Sequence, residues 1–309
     1  MLNKHIRNAL YGILLAGMVL STSGAGHPSA ALASGLGSST DPGAQTGPAG
    51  ELRDFGLVSA TDGWTLLGSR LYWTSSRSAS WRLITPPLPA AATIHAVSFL
   101  DAQMGWVLWS ESRADGGLVL QLERTSDGGL HWNNTLIQSL PPGDPAADVE
   151  NASLDWLDEN TGWVSVKQGT GSNFSLGTLF RTEDGGQTWQ RLALPLGEPV
   201  HFVNSRVGWL AGGPAGDQLY KTRDAGNTWE EQPLPVGMAG GQVHSLYPPV
   251  IESTGDGLLA FVTRNGDAFQ LEFYSTDDAG QSWMPVSSRP LCSRVGCLPL
   301  SLLDARNFM

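Results

Sequence analysis

Thr182-Glu-Asp184-Gly-Gly-Gln-Thr-Trp189 is one of four copies of an eight-residue phrase, and its return along the chain decides the fold. The others are Thr125-Ser-Asp127-Gly-Gly-Leu-His-Trp132, Thr222-Arg-Asp224-Ala-Gly-Asn-Thr-Trp229 and Thr276-Asp-Asp278-Ala-Gly-Gln-Ser-Trp283. A worn fifth copy, Thr74-Ser-Ser-Arg-Ser-Ala-Ser-Trp81, keeps the Thr-to-Trp spacing but lacks the Asp and the glycines. Successive closing tryptophans lie 40 to 57 residues apart, which is the period of a repeat architecture. The phrase has the chemistry of a tight turn between strands: Asp accepts from backbone N–H groups just beyond it, and Gly supplies positive φ. The Thr hydroxyl can join the same local network. Trp then opens the next strand with a large apolar face suited to packing between sheets.

A second marker precedes each phrase. Trp64, Trp106, Trp163 and Trp209 each follow a Gly and stand 17 to 26 residues before a closing Trp, and Gly257-Leu258 is a degraded fifth. Phe99-Leu-Asp-Ala-Gln-Met-Gly-Trp106 matches Phe202-Val-Asn-Ser-Arg-Val-Gly-Trp209 position for position. Nine of the twelve tryptophans fall in these two slots, so packing between repeats is their expected role. Within the second unit four short strands are expected, near Ile94–Leu100, Gly105–Ser110, Leu118–Arg124 and His131–Ile137. No sustained helical period appears after residue 33. The expected fold is therefore all-β: a propeller of four-stranded blades, five recognisable, with the first strand of a sixth.

The Ser/Thr-x-Asp-Gly/Ala-Gly-x-x-Trp phrase resembles the Asp box, or bacterial neuraminidase (BNR) repeat. Combined with the Gly-Trp strand, it is similar to the Ycf48/HCF136-like photosystem II assembly factors and their bacterial relatives. The resemblance spans about residues 52–309 and implies a β-propeller with the boxes on the outer part of each blade. It makes Asp127, Asp184, Asp224 and Asp278 turn builders, with Trp132, Trp189, Trp229 and Trp283 as their structural partners. Sialidases, sortilin-type receptors and xyloglucan hydrolases carry Asp boxes too, so the motif speaks for fold more than for function.

Residues 1–33 have the composition of a signal peptide: Lys4, His5 and Arg7, an apolar run from Ala9 to Leu20, and Ala31-Leu-Ala33 before a cleavage point. The run is too short to span a bilayer. Residues 34–50 read as a flexible Gly/Ser/Pro linker, and residues 51–309 as the propeller domain. An extracytoplasmic, secreted or surface-attached protein is the expectation. The chain carries 18 basic and 29 acidic residues, a net charge of −11, which argues against nucleic acid and anionic membrane as partners. Cys292 and Cys297 are the only cysteines, and outside the cytoplasm a disulfide between them is expected.

Leu302-Leu-Asp-Ala-Arg-Asn307 repeats the start of the Phe99 strand after the fifth blade. Five blades and one strand point to a piece of a larger ring, the alternative being five blades with this strand added.

Catalytic chemistry finds little support. The sialidase Phe/Tyr-Arg-Ile-Pro signature is absent, and Arg124, Arg181 and Lys221, each just before a box, read as solvated strand ends. Asp101, Asp155, Asp158 and Glu159 lie near inner strands without a distinctive spacing. His95, His201 and His244 each precede an inner strand but occupy different registers, and no metal or cofactor is expected. The favoured function is a non-catalytic, monomeric scaffold that binds a protein, with Trp73, Trp109, Trp156 and Tyr247 as possible binding-face residues because they lie outside the two Trp slots. The alternative is a carbohydrate-active propeller, either glycan-binding or a glycoside hydrolase, which would need a carboxylate pair about 5–9.5 Å apart on the axial face.

Overall fold

The structure is a computed structural model that describes residue 48 and residues 50–75, 80–169, 176–234, 242–252, 254–266 and 268–292. The chain is an all-β propeller of five antiparallel blades. Blade 1 comprises β1 (Leu52–Leu57), β2 (Gly63–Leu67), β3 (Arg70–Ser75) and β4 (Ser80–Leu83). Blade 2 comprises β5 (Thr93–Phe99), β6 (Gly105–Ser112), β7 (Leu118–Thr125) and β8 (Asn133–Leu140). Blade 3 comprises β9 (Val149–Trp156), β10 (Gly162–Gln168), β11 (Gly177–Thr182) and β12 (Gln190–Leu194). Blade 4 comprises β13 (Val200–Phe202), β14 (Gly208–Gly212), β15 (Gln218–Thr222) and β16 (Glu230–Gln232). In blade 5 the inner strand is split into β17 (Gln242–Leu246) and β18 (Val250–Ile251), both paired with β19 (Gly257–Asn265) and followed by β20 (Ala268–Thr276) and β21 (Met284–Cys292). Pro248 and Pro249 cause the split, since neither has an N–H to give the ladder. The strands expected in the second unit lie within three residues of those observed. Residues 1–33, most of the linker, Cys297 and Leu302–Asn307 lie outside the described residues, as does any bond from Cys292 to Cys297.

The first strands β1, β5, β9 and β13 lie side by side, so each sheet radiates outward from its own first strand. Among the described residues the sheets are separate ladders, joined by packing and by hydrogen bonds that involve side chains. The second and third seams share one arrangement, and the first and fourth vary it. The Trp of the second strand meets the last residue of the next blade's inner strand, and that residue meets the next box Trp. Trp106 stacks on Trp156 at 3.9 Å and 7°, and Trp156 meets Trp189 edge-on at 6.2 Å. Trp163 stacks on Phe202 at 3.6 Å and 2°, and Phe202 meets Trp229 edge-on at 6.1 Å. In the first seam Phe99 contacts Trp73 at 5.1 Å and Trp132 at 6.4 Å. In the fourth, Trp209 and Trp283 join Ile251 in one cluster. Trp106, Trp163 and Trp209 are completely buried. The glycine before each seam Trp is obligatory, because a Cβ at Gly105 would lie 2.3 Å from the Phe99 ring and one at Gly162 2.4 Å from Trp156.

The box itself is a closed hydrogen-bonded unit. Asp184 Oδ1 accepts from Thr182 Oγ1 (2.8 Å), Gln187 N (2.9 Å) and Thr188 N (2.9 Å), while Oδ2 accepts from Thr188 Oγ1 (2.6 Å). Thr182 Oγ1 in turn accepts from Gly186 N at 2.9 Å. Asp278 repeats the set with Thr276, Gln281 and Ser282. Asp224 uses Thr222 and Thr228. Asp127 accepts from Thr125, Leu130 N and His131 N, and its other oxygen lies 2.6 Å from the His131 ring.

The two small positions of the box differ in what they demand. Both have positive φ, yet the first is Gly128 (70°), Gly185 (73°), Ala225 (63°) or Ala279 (58°). The second is Gly in all four boxes, because a Cβ there would enter the preceding blade: 2.7 Å from Ile84 at Gly129, 3.0 Å from Leu122 at Gly186, 2.5 Å from Leu179 at Gly226 and 2.7 Å from Trp209 at Gly280. Opposite responses are expected from adjacent residues. Ala225→Gly relieves a left-handed alanine and should leave stability unchanged or raise it by up to about 1 kcal/mol. Gly226→Ala should cost about 2 kcal/mol or more, through strain and a forced seam. Urea unfolding of the two variants measures both.

Candidate binding face

An up-and-down sheet sends its first and third turns to one end of the blade and its second turn to the other. The boxes, which are third turns, therefore share an end with the first turns, and the two are tied. Gly128 N donates to Gln103 O, Gly185 N to Asn160 O and Ala225 N to Arg206 O, each at 2.8 Å, and Ala279 N donates to Gly255 O at 2.9 Å. The first turns are uniform as well: residues 58–62, 100–104, 157–161, 203–207 and 252–256, five residues each. This end is a self-bonded rim.

The carboxylates of interest belong to that rim. Asp101 Oδ1 accepts from Gln103 N and Met104 N at 2.8 Å, and Asp158 Oδ1 from Asn160 N and Thr161 N at 2.8 Å. Asn204 does the same work for Arg206 and Val207 at 2.9 Å. Asp155 crosses a seam, accepting from Phe202 N at 2.6 Å and lying 3.7 Å from His201 Nδ1. Glu159 offers its main-chain oxygen to Arg124.

Two sequence readings need correction. Arg124, Arg181 and Lys221 are not solvated strand ends. Lys221 is 2 % exposed, donates to Ala279 O of the next box at 2.7 Å and lies 4.5 Å over the Trp209 ring. Burial pulls its pKa below the ordinary lysine value. Arg124 reaches toward Glu159 O of blade 3 at 3.5 Å, and Arg181 is half-buried and paired with Glu183. Blade 1 has Trp73 at the equivalent place, and Arg82 on β4 supplies the link instead, donating to Gly128 O at 2.6 Å. The second correction concerns the aromatics. Trp73, Trp109 and Trp156 are 6 %, 3 % and 6 % exposed, so they are packing residues and form no face. Trp156 fills the inner-strand slot of its seam, six residues before Gly162 as Phe99 is six before Gly105. That register was the signal for its role. Tyr247 is half-buried in the break between β17 and β18, with its N–H bonded to Ala260 O at 3.2 Å.

The opposite end carries the second turns and the connections between blades, and it varies. The second turns span residues 68–69, 113–117, 169–176, 213–217 and 266–267. The blade connections span 84–92, 141–148, 195–199 and 233–241, and one includes a 3-10 turn at Pro145–Ala147 capped by Asp144. Several charges at this end are paired. Arg191 grips Asp144 through both nitrogens at 2.7 and 2.8 Å, and Arg113 meets Asp115 at 2.6 Å. Two carboxylates do meet here: Glu150 and Glu198 lie 3.2 and 3.5 Å from Lys167 Nζ. Partial burial lowers the Lys167 pKa, but Glu198 and Glu150 outweigh it and raise the net value. An ammonium between the two acids makes this a lock, whereas glycoside hydrolysis needs one carboxyl free to give a proton.

The histidines do not converge. His95 hydrogen-bonds Ser110 Oγ at 2.7 Å, and burial, helped by Arg53, pushes its pKa down to about 4. His201 is buried beside Asp155, and exposed His244 meets the Phe269 ring at 5.2 Å. Sequence reasoning missed Glu123, which is 4 % exposed, accepts from Asn134 at 2.8 Å and has its pKa raised by burial. Among the described residues no three His, Cys, Asp or Glu side chains form a metal-binding group, and no helix is long and apolar enough to cross a membrane.

These features define an Asp-box β-propeller. A family model described as "Photosynthesis system II assembly factor YCF48" matches residues 145–293, just under half of the chain. The chain is similar to that family over blades 3 to 5. Among solved structures it is similar to YCF48 bound to D1 peptide, with 16 % identity over 76 % of this chain and 82 % of that one, at a TM-score of 0.45. An ancestral GH74 enzyme shares 13 % identity over 77 % of this chain but only 31 % of its own, at 0.47. A PL25 ulvan lyase shares 10 % over 73 % and 61 %, at 0.48. No curated protein sequence matches.

The rim makes the fold acid-sensitive. Asp127 is held at about 2, first by the His131 N–H and then by its ring. Asp184 is also held at about 2: slight burial opposes this, but the Thr188 hydroxyl and amide prevail. Asp224 and Asp278 are lowered chiefly by the hydroxyls of Thr228 and Ser282. A carboxylate with a depressed folded pKa binds fewer protons folded than unfolded, so its contribution is present above about pH 4 and lost as pH falls toward 2. Asp184→Asn should lower stability at pH 7 and flatten part of the decline between pH 4 and 2. Urea midpoints across that range give the comparison. For the seam, Lys221→Met should cost about 1–2 kcal/mol at pH 7 by leaving Ala279 O without its donor, read from the same unfolding experiment.

Proposed function

We propose that the chain is a non-catalytic, protein-binding scaffold that uses the end opposite the Asp boxes. One observation carries this reading: first turns and boxes keep one geometry from blade to blade, while second turns and blade connections range from two to nine residues. Repetition marks what the fold needs. Departure from it, confined to one end of a rigid framework, marks where a surface is shaped for something else. The assembly-factor family matched by residues 145–293 favours a protein over a sugar as that something. Work outside the cytoplasm is part of the proposal and rests on the leader-like composition of residues 1–33.

The paired charges at this end suit a protein partner, whose side chains can exchange with existing ion pairs. The test compares the full chain with a variant in which residues 169–176 are replaced by the two-residue Gly68-Ser69 turn. Both are used for crosslinked capture from the producing cell's envelope and secreted fractions, beside a glycan panel. The expected result is stoichiometric recovery of one protein by the parent and loss of most of it by the variant, with unfolding midpoints unchanged. Equal capture by both chains, retention of a glycan, or release of reducing sugar would overturn the reading.

A further inference from the structure

The first strand carries one extra, unpaired residue in four of the five blades, each time near its start and so at the end opposite the boxes. The pairing steps over Arg53 in β1, His95 in β5, Glu150 in β9 and His244 in β17. In blade 4, β13 is three residues long and does not extend to that level. A bulge re-aims a side chain, and in blades 1 to 3 the aim is the same. Arg53 Nη1 donates to Gly68 O at 3.3 Å, His95 Nε2 lies 2.7 Å from Ser110 Oγ, and Glu150 Oε1 lies 3.2 Å from Lys167 Nζ. Gly68, Ser110 and Lys167 each stand five residues after the glycine that opens the second strand. In blade 5 the His244 ring meets Phe269 instead.

One geometry therefore carries three chemistries along the lip that adjacent first strands form. Arg53 is exposed and positively charged. His95 is uncharged at neutral pH, because burial, helped by Arg53, holds its pKa at about 4. Lys167 lies between Glu150 and Glu198, so two carboxylates face one ammonium and a negative charge is left over. Charge thus runs from positive through neutral to negative across blades 1 to 3. The charged ties are also open to exchange. The Glu150 side chain is 52 % exposed, and the contacts of Arg53 and Lys167, at 3.2 to 3.5 Å, are long for charged groups. Arg191 and Asp144 at the same end, at 2.7 and 2.8 Å, are by contrast locked together.

We propose that this lip receives a polypeptide segment of the partner, with an acidic side chain meeting Arg53 and a basic one meeting Glu150. The proposal rests on the scaffold reading above and specifies where that scaffold binds and what it recognises. A protein segment supplies both signs in a set order. A neutral glycan supplies neither, and a nucleic acid or anionic lipid supplies only the negative one. His95, uncharged and tied to Ser110, faces an uncharged residue between the two charges.

The test is a selection on the full chain from a display library of random linear peptides, which needs no natural partner. The parent should enrich peptides with an acidic and a basic residue at a fixed spacing. Arg53→Gln should abolish the preference for the acid and keep that for the base, and Glu150→Gln the reverse. Glu150→Lys should enrich peptides with two acids. A synthetic copy of the best parent peptide should bind either Gln variant about five- to tenfold more weakly, a gap that shrinks as salt is raised. Unfolding midpoints accompany every variant. Should Arg53→Gln loosen the fold, Arg53→Lys keeps the charge and should keep the preference for the acid. No enrichment, peptides without a charge pattern, or a pattern unmoved by both Gln variants would sink the proposal. Capture from the envelope and secreted fractions decides the scaffold reading separately. A protein captured equally by the parent and both Gln variants would overturn the lip and leave the scaffold standing.

Discussion

The contact between the second box glycine and the blade before it is the constraint on which the rest depends. Among the described residues no backbone ladder crosses from one sheet to the next, so the blades cohere as closely as their facing surfaces can approach. At Gly129, Gly186, Gly226 and Gly280 the main chain itself touches Ile84, Leu122, Leu179 and Trp209. That approach brings the box Trp edge-on to the inner-strand anchor and lets the anchor cover the seam Trp. The Asp and Thr of the box hold the turn in the left-handed conformation that makes the approach possible. A glycine motif that looks like a loop feature is therefore an element of core packing.

The donors that cross the seams serve the same geometry. Arg82, Trp163 and Lys221 give hydrogen bonds to the main-chain oxygens of Gly128, Ala225 and Ala279, which occupy one position in three of the four boxes. Three chemically different groups from three different strand positions converge on one acceptor. The acceptor position is shared and the donor differs, as suits a docking point. A buried lysine survives there because its ammonium finds both a carbonyl and the face of Trp209, two attractions that offset part of its desolvation.

Much of this was legible in the sequence. The period, the turn chemistry and the Gly-Trp spacing gave four strands per unit, and the second unit's strands followed within three residues. The site was less legible, for a physical reason. Reading one repeat at a time places Lys221 at a strand end and makes it look solvated, because its partner lies 58 residues away in the next box. Trp156 looked free for the same reason. Its register six before Gly162 is visible, but the meaning of that register comes from Trp106, which belongs to another sheet. Local pattern reports hydrogen-bonded neighbours along the chain, whereas seams are made by residues a whole blade apart.

The division between the two ends follows from the same logic. At the end that seats blades 2 to 5 against their predecessors, a box turn of another length would move its glycine off its contact. The first turns are likewise uniform, at five residues in all five blades. The opposite end carries fewer such contacts, among them Gly216, where a Cβ would lie 2.5 Å from the His244 carbonyl of blade 5. The free end is therefore where a partner-specific surface can be built without loss of stability, and the split of labour between the ends is a consequence of where the glycines are.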